Sequence, residues 1–376
     1  MQYRKFGKLD WQGSALGFGC MRLPTKDGSV LSPDITEKEA VGMIRYAIDH
    51  GVNYVDTAYL YHSGESERMV GKALADGYRQ KVKLATKAPM QCIRTAADYD
   101  RILGEQLQKL DTDRIDLYMF HGIGKKTWDV ICEQGLLSRA EAAVKAGKIR
   151  YVGFSFHGPY EAFEEIVNGY DKWDFCQIQY NFMDTHSQAG TKGLKLAAQK
   201  GLGVVVMEPL RGGKLANPLK EVRELMARSG YEKPLSDLAL RWVWSQSEVS
   251  VVLSGMSDME QVRQNVRCAQ QAGAPLTQEE QKLVEGIRAI YGKREGIPCT
   301  GCSYCMPCPQ GIDIPWIMDI YNDGIVYDYL KEPQRRYNFF GRPGSKCVQC
   351  KKCEEKCPQA IPIPEWLEKI DAELSI

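Results

Sequence analysis

The feature that most constrains this chain is a repeat. Short apolar stretches at 15–20, 53–56, 82–87, 115–121, 150–155, 174–180, 203–207 and 249–253 read as strands, and helical patterning fills the intervals. In 36–50, for example, Ala40, Met43, Ile44, Ala47 and Ile48 share one face, Thr36 with Glu39 makes a capping box, and Gly51 is the stop. Helices are predicted likewise at 65–76, 96–110, 127–146, 159–168, 189–200, 218–229, 235–246, 258–270 and 277–291. A βαβ crossover takes about 30 residues or more. Eight strands alternating with helices over about 270 residues predict an α/β fold, the (β/α)8 TIM barrel. An open doubly wound sheet is disfavoured because no Gly-x-Gly-x-x-Gly follows the first strand. Residues 2–13 read as a short hairpin able to plug the amino end of the barrel.

In such a barrel the carboxyl ends of the strands surround one site. Asp56 ends the second predicted strand, Lys87 ends the third 31 residues later, and His121 ends the fourth after a further 34. Tyr61 follows Asp56 by five residues. A carboxylate, an ammonium, an imidazole and a phenol are therefore expected at one end of one barrel.

The rest of the composition narrows function mainly by exclusion. The formal net charge is +1, which gives no electrostatic case for nucleic acid or an anionic membrane. No apolar run reaches the ~18 residues of a membrane span, and the first residues lack the apolar core of a signal peptide, so a cytoplasmic protein is expected. Of the 13 cysteines, Cys20, Cys92, Cys132, Cys176 and Cys268 are scattered and read as small buried hydrophobes. The other eight crowd the tail. Cys347, Cys350, Cys353 and Cys357-Pro358 have the C-x2-C-x2-C-x3-C-P spacing of a bacterial ferredoxin, and Cys299, Cys302, Cys305 and Cys308-Pro309 form a similar run one residue shorter. In two-cluster ferredoxins the fourth cysteine of each run ligates the other cluster. The expected sets are therefore Cys299, Cys302, Cys305 and Cys357 for one [4Fe–4S] cluster, and Cys347, Cys350, Cys353 and Cys308 for the second. Structural zinc and a disulfide scaffold fit these spacings less well. A helical pattern at 316–330 points to a small, mostly helical ferredoxin-like domain, with 292–298 as its linker. The predicted domains are 1–291 and 292–376.

With these motifs in order, the chain resembles the aldo-keto reductase superfamily over roughly residues 1–290, in the branch with a C-terminal iron–sulfur domain. The likeness is carried by Tyr54-Val55-Asp56-Thr57-Ala58 with Tyr61, by Lys87, and by Asp113-Arg114-Ile115-Asp116-Leu117-Tyr118-Met119-Phe120-His121. Gly147-Lys148-Ile149-Arg150-Tyr151-Val152-Gly153-Phe154-Ser155 and Gln177-Ile178-Gln179-Tyr180-Asn181 extend it. The resemblance implies a catalytic tetrad of Asp56, Tyr61, Lys87 and His121. Tyr61 would be the general acid, helped by the Lys87 ammonium, which lowers the phenol pKa and is itself held by Asp56. His121 would orient the carbonyl and donate to its oxygen.

The resemblance also implies a nicotinamide dinucleotide, with the carboxamide near Ser155 and Gln179, Met207 and Leu210 beside the ring, and Arg211-Gly212-Gly213 at the pyrophosphate. Gly255, Gln264 and Asn265 match the adenosine end. Relatives that prefer NADP often place Lys and Arg where this chain has Gly255 and Gln261. That leans towards NAD(H) over NADP(H), with Arg263 and Arg267 the nearby cations. Nicotinamide moves a hydride, whereas each cluster moves one electron. Three functions follow: a carbonyl reductase or alcohol dehydrogenase acting on a small molecule; an enzyme exchanging electrons with a ferredoxin-type partner through the clusters, flavin not excluded; and a non-catalytic redox-sensing module.

Overall fold

A computed structural model describes residues 1–28, 32–294, 296–299, 301, 303–341, 343–357 and 359–376. Cys302 and Pro358 of the cysteine runs, and Glu295 of the linker, lie outside the described residues. The hairpin pairs β1 (Tyr3–Lys5) with β2 (Gln12–Ser14) in antiparallel register. Eight parallel strands follow: β3 (Leu16–Gly19), β4 (Tyr54–Asp56), β5 (Lys83–Ala88), β6 (Ile115–Ile123), β7 (Ile149–Phe156), β8 (Phe175–Gln179), β9 (Gly203–Met207) and β10 (Val251–Gly255). They close into a barrel in chain order, β10 pairing back onto β3.

The barrel interior is filled rather than hollow. Tyr54, Leu117, Met119, Phe175, Val205 and Val251 meet inside it, and Phe6 from the hairpin joins them as the plug. A Cβ on Gly203 would lie 2.3 Å from the Phe6 ring, so the plug requires glycine there. The larger core lies between strands and helices, where Val70, Ile102, Ile131, Ile166 and Leu194 pack outside the barrel.

The helices are α1 (Glu37–Asp49), α2 (Ser66–Leu74), α3 (Ala96–Lys109), α4 (Lys125–Glu133), α5 (Leu136–Lys145), α6 (Tyr160–Asn168), α7 (Gly190–Gln199), α8 (Lys220–Arg228), α9 (Leu235–Trp244), α10 (Met259–Cys268), α11 (Gln278–Gly292), α12 (Ile314–Tyr327), α13 (Lys331–Phe339) and α14 (Ile363–Leu374). Three local expectations are corrected, the first being that Cys132 is exposed and Cys92 only partly buried where small buried hydrophobes were expected. The single helix predicted at 127–146 is two, α4 and α5, because Gly135 takes φ 62 and breaks the run. Thr36 makes no side-chain cap on α1; its backbone N–H instead donates to Pro24 O at 2.8 Å. Capping boxes do form at Thr95/Asp98 on α3 and Thr277/Glu280 on α11.

By packing, the chain divides into two compact units, Met1–Arg211 with Ser236–Leu276, and Gly212–Leu235 with Thr277–Ile376. The first holds the whole barrel. The second groups α8 and α11 with α12, α13 and α14. It has its own core of Ile312, Ile317, Ile320, Tyr337, Leu367 and Ile370, and six cysteines of the two runs pack against that core. Among the described residues, no helix is long and apolar enough to cross a membrane.

Candidate active site and iron–sulfur centre

Asp56 is the last residue of β4, and the parallel register sets Asp56 opposite Ala85 and Lys87 opposite Met119. The Lys87 ammonium donates to Asp56 Oδ1 at 2.5 Å and to Thr57 O at 2.8 Å. Both side chains of the pair are 1% exposed. The same ammonium lies 5.0 Å from the centre of the Tyr61 ring. Tyr61 meets His121 edge to face, with ring centres 6.0 Å apart and planes at 80°. The four residues expected at one end of the barrel are thus gathered into one cluster.

Local backbone explains how Tyr61 gets there. Immediately after it, His62, Ser63 and Gly64 all take left-handed φ of 52, 54 and 96. Such angles are costly for non-glycine residues and persist where surroundings over-determine them. His62 is fully buried, with Nδ1 2.8 Å from Ser32 O, which anchors the turn.

Electrostatics divide the four roles. Burial lowers the Lys87 pKa, but Asp56 and Tyr61 outweigh it, so the ammonium is held above its ordinary range and stays charged. Burial pushes the Tyr61 phenol up, and the opposing pull of Lys87 does not overcome it. The expectation that Lys87 would bring the phenol down is met only in sign of interaction, not in net direction, because desolvation of the phenolate is the larger effect. The phenol therefore holds its proton at neutral pH. Burial, the Lys87 charge and His157 push the His121 imidazole down to about 3, so it is neutral, and its Nδ1 is buried with no hydrogen-bond partner.

Behind Lys87 stands a polar network that the sequence reading missed. Glu67, fully buried on α2, accepts from Thr86 at 2.7 Å and from Gln106 at 2.6 Å. Gln106 also donates to Lys87 O at 3.1 Å and accepts from the Tyr118 hydroxyl at 2.6 Å. A signal was present: Glu67 lies in helical phase with Val70 and Leu74, and Gln106 with Leu103 and Leu110, so each polar group occupies an apolar face.

Of the residues matched to a dinucleotide, Ser155, Gln179, Met207 and Gly255 lie at or next to the carboxyl ends of their strands, Leu210 and Arg211 follow β9, and Gln264 and Asn265 lie on α10. Ser155 Oγ accepts from Gly122 N at 2.7 Å, linking β6 and β7. Gln179 donates to Asp184 at 2.9 Å and accepts from Gln188. Arg211 pairs with the same Asp184 oxygen at 3.0 Å. Asp184, unnoticed in the sequence, therefore ties the predicted carboxamide and pyrophosphate positions together. Met207 ends β9, and its carbonyl accepts from Tyr180 N at 3.2 Å. Leu210 packs on the core between strands and helices. At the adenosine end, Asn265 donates to Ser254 Oγ at 2.9 Å, and Gln264 donates to Glu260 at 3.2 Å. A Cβ on Gly255 would meet the Arg22 side chain at 3.3 Å, which puts a cation at this end that the motif comparison overlooked. Arg263 lies 5.8 Å over the Tyr46 ring, and Arg267 pairs with Glu260 at 3.2 Å.

In the second unit, Cys299 and Cys305 of the first run line one cavity together with Cys357 of the second. Met318, Ile361 and Ile363 supply apolar wall. No disulfide joins the described cysteines to one another. Thiols from both runs converging on an apolar cavity are the donor chemistry of an iron–sulfur cluster. Among the described residues, no three His, Cys, Asp or Glu side chains are grouped tightly enough for a single metal ion.

Comparison with known proteins agrees with both halves. Residues 15–289 match the model of the Aldo/keto reductase family, and residues 298–362 match a 4Fe-4S dicluster domain. The chain is 28% identical over 318 residues to the uncharacterized oxidoreductase YqkF of Bacillus subtilis, covering 76% of this chain and 96% of that one. It is 26% identical over 298 residues to the probable aldo-keto reductase 1 of Glycine max, covering 70% and 82%. Among solved structures, the holo form of aldo-keto reductase AKR11C1 from Bacillus halodurans superposes with a TM-score of 0.61 at 30% identity, over 76% of this chain and 96% of that one. A barrel of eight parallel strands, a tail of paired cysteine runs and these matches agree: the chain is an oxidoreductase of the aldo/keto reductase family that carries a C-terminal 4Fe-4S dicluster domain.

Proposed function

We propose that the barrel reduces a small-molecule carbonyl to an alcohol, with Tyr61 as proton donor. The dinucleotide, NADH or NADPH, supplies the hydride when bound, and Ser155, Gln179, Met207, Leu210, Arg211, Gly255, Gln264 and Asn265 are the residues to hold it. The carbonyl oxygen sits between the Tyr61 hydroxyl and His121. His121, neutral at physiological pH, donates an N–H to that oxygen and fixes its direction. Tyr61 passes its proton to the oxygen as negative charge builds there. Lys87 then faces a nascent phenolate, and the attraction offsets the cost of forming that anion in a buried place. Asp56 holds the ammonium charged and aimed.

The observation that carries this reading is the buried Lys87–Asp56 pair beneath Tyr61. A buried pair is weak evidence for stability alone, and here it lies under a phenol that meets a buried, neutral histidine. That also weighs against a non-catalytic sensing barrel. Tyr61→Phe tests it. Carbonyl turnover should fall by about 10²–10⁴, while dinucleotide fluorescence titration stays unchanged; retained turnover would overturn the assignment.

We place the functional division at 291/292, with 292–376 holding two [4Fe–4S] clusters. Cys299, Cys302, Cys305 and Cys357 hold one, and the shared cavity of three of them supports this set. Cys347, Cys350, Cys353 and Cys308 hold the other. The clusters supply one-electron chemistry when present. Gly255 and Gln261 favour NAD(H), since Gln261 is already spent on Ser257 and Asp258; Arg22 beside Gly255 is the residue to vary when NADH and NADPH are compared.

A further inference from the structure

Among the described residues the most exposed large hydrophobics all lie in the second unit: Ile376 at the chain's end (87%), Tyr304 in the first cysteine run (67%), and three at or just before the second run. Phe339 is 71% exposed, Phe340 62% and Val348 61%, whereas the barrel unit's most exposed large hydrophobic, Tyr3, reaches 48%. Folding alone does not require this, because α13 already buries Pro333 and Tyr337 on its inner side. The Phe rings are ordered against each other at 5.1 Å and 89°, and Phe340 meets Trp316 at 5.2 Å and 81°. The stretch that continues from them is pinned. Gly344 is buried with the Tyr337 hydroxyl and Leu367 O over it, and Gln349 donates to Glu368 at 3.3 Å. Cys350, a predicted ligand of the second cluster, is exposed, flanked by left-handed Gln349 and Lys351.

In the segment that follows these Phe residues, Lys346, Lys351, Lys352 and Lys356 are all exposed. None of the four has a carboxylate within ion-pair distance among the described residues. Between Lys346 and Lys356 the acids are Glu354 and Glu355, so the side chains sum to +2 (four minus two), a sum that a cluster with its thiolates would offset; what the surface presents is the lysines themselves. Exposed aromatics followed in the chain by exposed, unpaired lysines have the composition of a protein interface with a charge preference. Unpaired surface lysines steer an acidic partner at long range, and the exposed Phe and Val then exclude water at contact.

We propose that Phe339, Phe340 and the stretch from Lys346 to Lys356 form the docking surface for an acidic one-electron carrier protein, seated over the Cys347–Cys350–Cys353 cluster. This deepens, and rests on, the assignment of that cluster in the preceding section. On docking, one electron leaves the reduced carrier and one arrives at the cluster, with no proton moved and no bond made or broken. The exposed apolar side chains supply the short contact such a transfer needs, and the lysines select the sign of the carrier.

The test uses full-length protein whose two clusters are verified by iron and acid-labile sulfide. Its binding to oxidised flavodoxin, an acidic carrier, is measured by biolayer interferometry, with basic cytochrome c as the opposite-charge control. Flavodoxin affinity should fall at least about tenfold between about 20 and about 300 mM salt, because screening shortens as salt rises. Lys351→Glu with Lys352→Glu should weaken binding about tenfold at low salt, and Phe339→Ser by a similar factor at high salt. Where the Lys351/Lys352 pair disturbs the cluster, Lys346→Gln with Lys356→Gln reads the same effect from outside the Cys350–Cys353 spacing. Flavodoxin binding that ignores every one of these substitutions, or cytochrome c binding as tightly as flavodoxin, overturns the proposal. Protein purified anaerobically without iron or sulfide overturns it together with the cluster assignment. Loss of carbonyl turnover alone bears only on the barrel, since binding is read without turnover.

Discussion

Replacing Lys87 with Met deletes the ammonium and keeps most of the apolar stem. In the native protein that ammonium contacts Asp56 at 2.5 Å and Thr57 O at 2.8 Å, in a place where each partner of the pair is 1% exposed. Without it, Asp56 is a buried carboxylate with no counter-charge, and burial already pushes its carboxyl up. The folded variant therefore binds a proton that the unfolded chain does not hold at pH 7. Each pH unit between the ordinary aspartate value near 3.9 and pH 7 costs about 1.4 kcal/mol, or about 4 kcal/mol in all. That agrees with the roughly 3–5 kcal/mol typical of breaking a buried pair.

The pH dependence has a definite sign. The Asp56 pKa of the folded variant lies above the unfolded one, so below about pH 4 both states carry the proton and the penalty vanishes. It grows as pH rises. Between about pH 7 and about pH 5.5 the variant should regain about 2 kcal/mol relative to the native protein. Thermal unfolding followed by circular dichroism reads this as a deficit of roughly 8–16 °C at pH 7, at about 2–4 °C per kcal/mol for a unit of this size, and a visibly smaller one at pH 5.5. Lys87→Met combined with Asp56→Asn removes the stranded charge and should recover most of the stability but none of the carbonyl turnover. An equal deficit at both pH values, with no recovery in the double variant, would refute the reasoning.

Three other outcomes are expected. Because burial and Lys87 hold His121 down to about 3 and burial keeps the Tyr61 phenol high, kcat/KM for reduction should be flat from about pH 5.5 to about pH 9; an acid limb near pH 6.5 in the pH–rate profile would mean His121 titrates freely. Cys357→Ser should lose one cluster and keep the other, so iron per chain falls from about eight to about four, with one of two electron paramagnetic resonance signals absent after reduction. Lys214, 3% exposed and paired with Asp323, holds the Gly212–Leu235 segment to α12; Lys214→Met should cost about 3 kcal/mol and make that segment the first site of limited proteolysis.

What could be read from residues alone, and what could not, separates along a physical line. Strands and helices declared themselves because each must bury an apolar face with period 2 or 3.6. The tetrad positions followed because a closed parallel barrel puts every strand end at one rim. Spacing between strands therefore carried three-dimensional information for Asp56, Lys87 and His121. Failures came where one residue's backbone or partner overrode the pattern. Gly135 interrupts an apolar periodicity that otherwise runs on through 127–146, and Thr36 spends its N–H on Pro24 O rather than sharing a capping box. The small helices α13 and α14 escaped because the first is dominated by charged and polar residues and the second begins beside Pro362 and Pro364.

The polar supports were harder still, because their role is defined only by a partner distant in sequence. Glu67 and Gln106 are 39 residues apart, yet together with Thr86 they fix the backbone from which Lys87 projects. A carboxylate on the apolar face of α2 is costly unless hydrogen-bonded. The useful signal was therefore not a catalytic motif but a violation of the burial pattern. The same reasoning joins the two halves of the chain. Buried Glu67 breaks the inside rule beside the tetrad, and exposed Phe339 and Phe340 break the outside rule beside the second cysteine run. In each case, the departure from what folding alone favours lies next to the chemistry that can explain it.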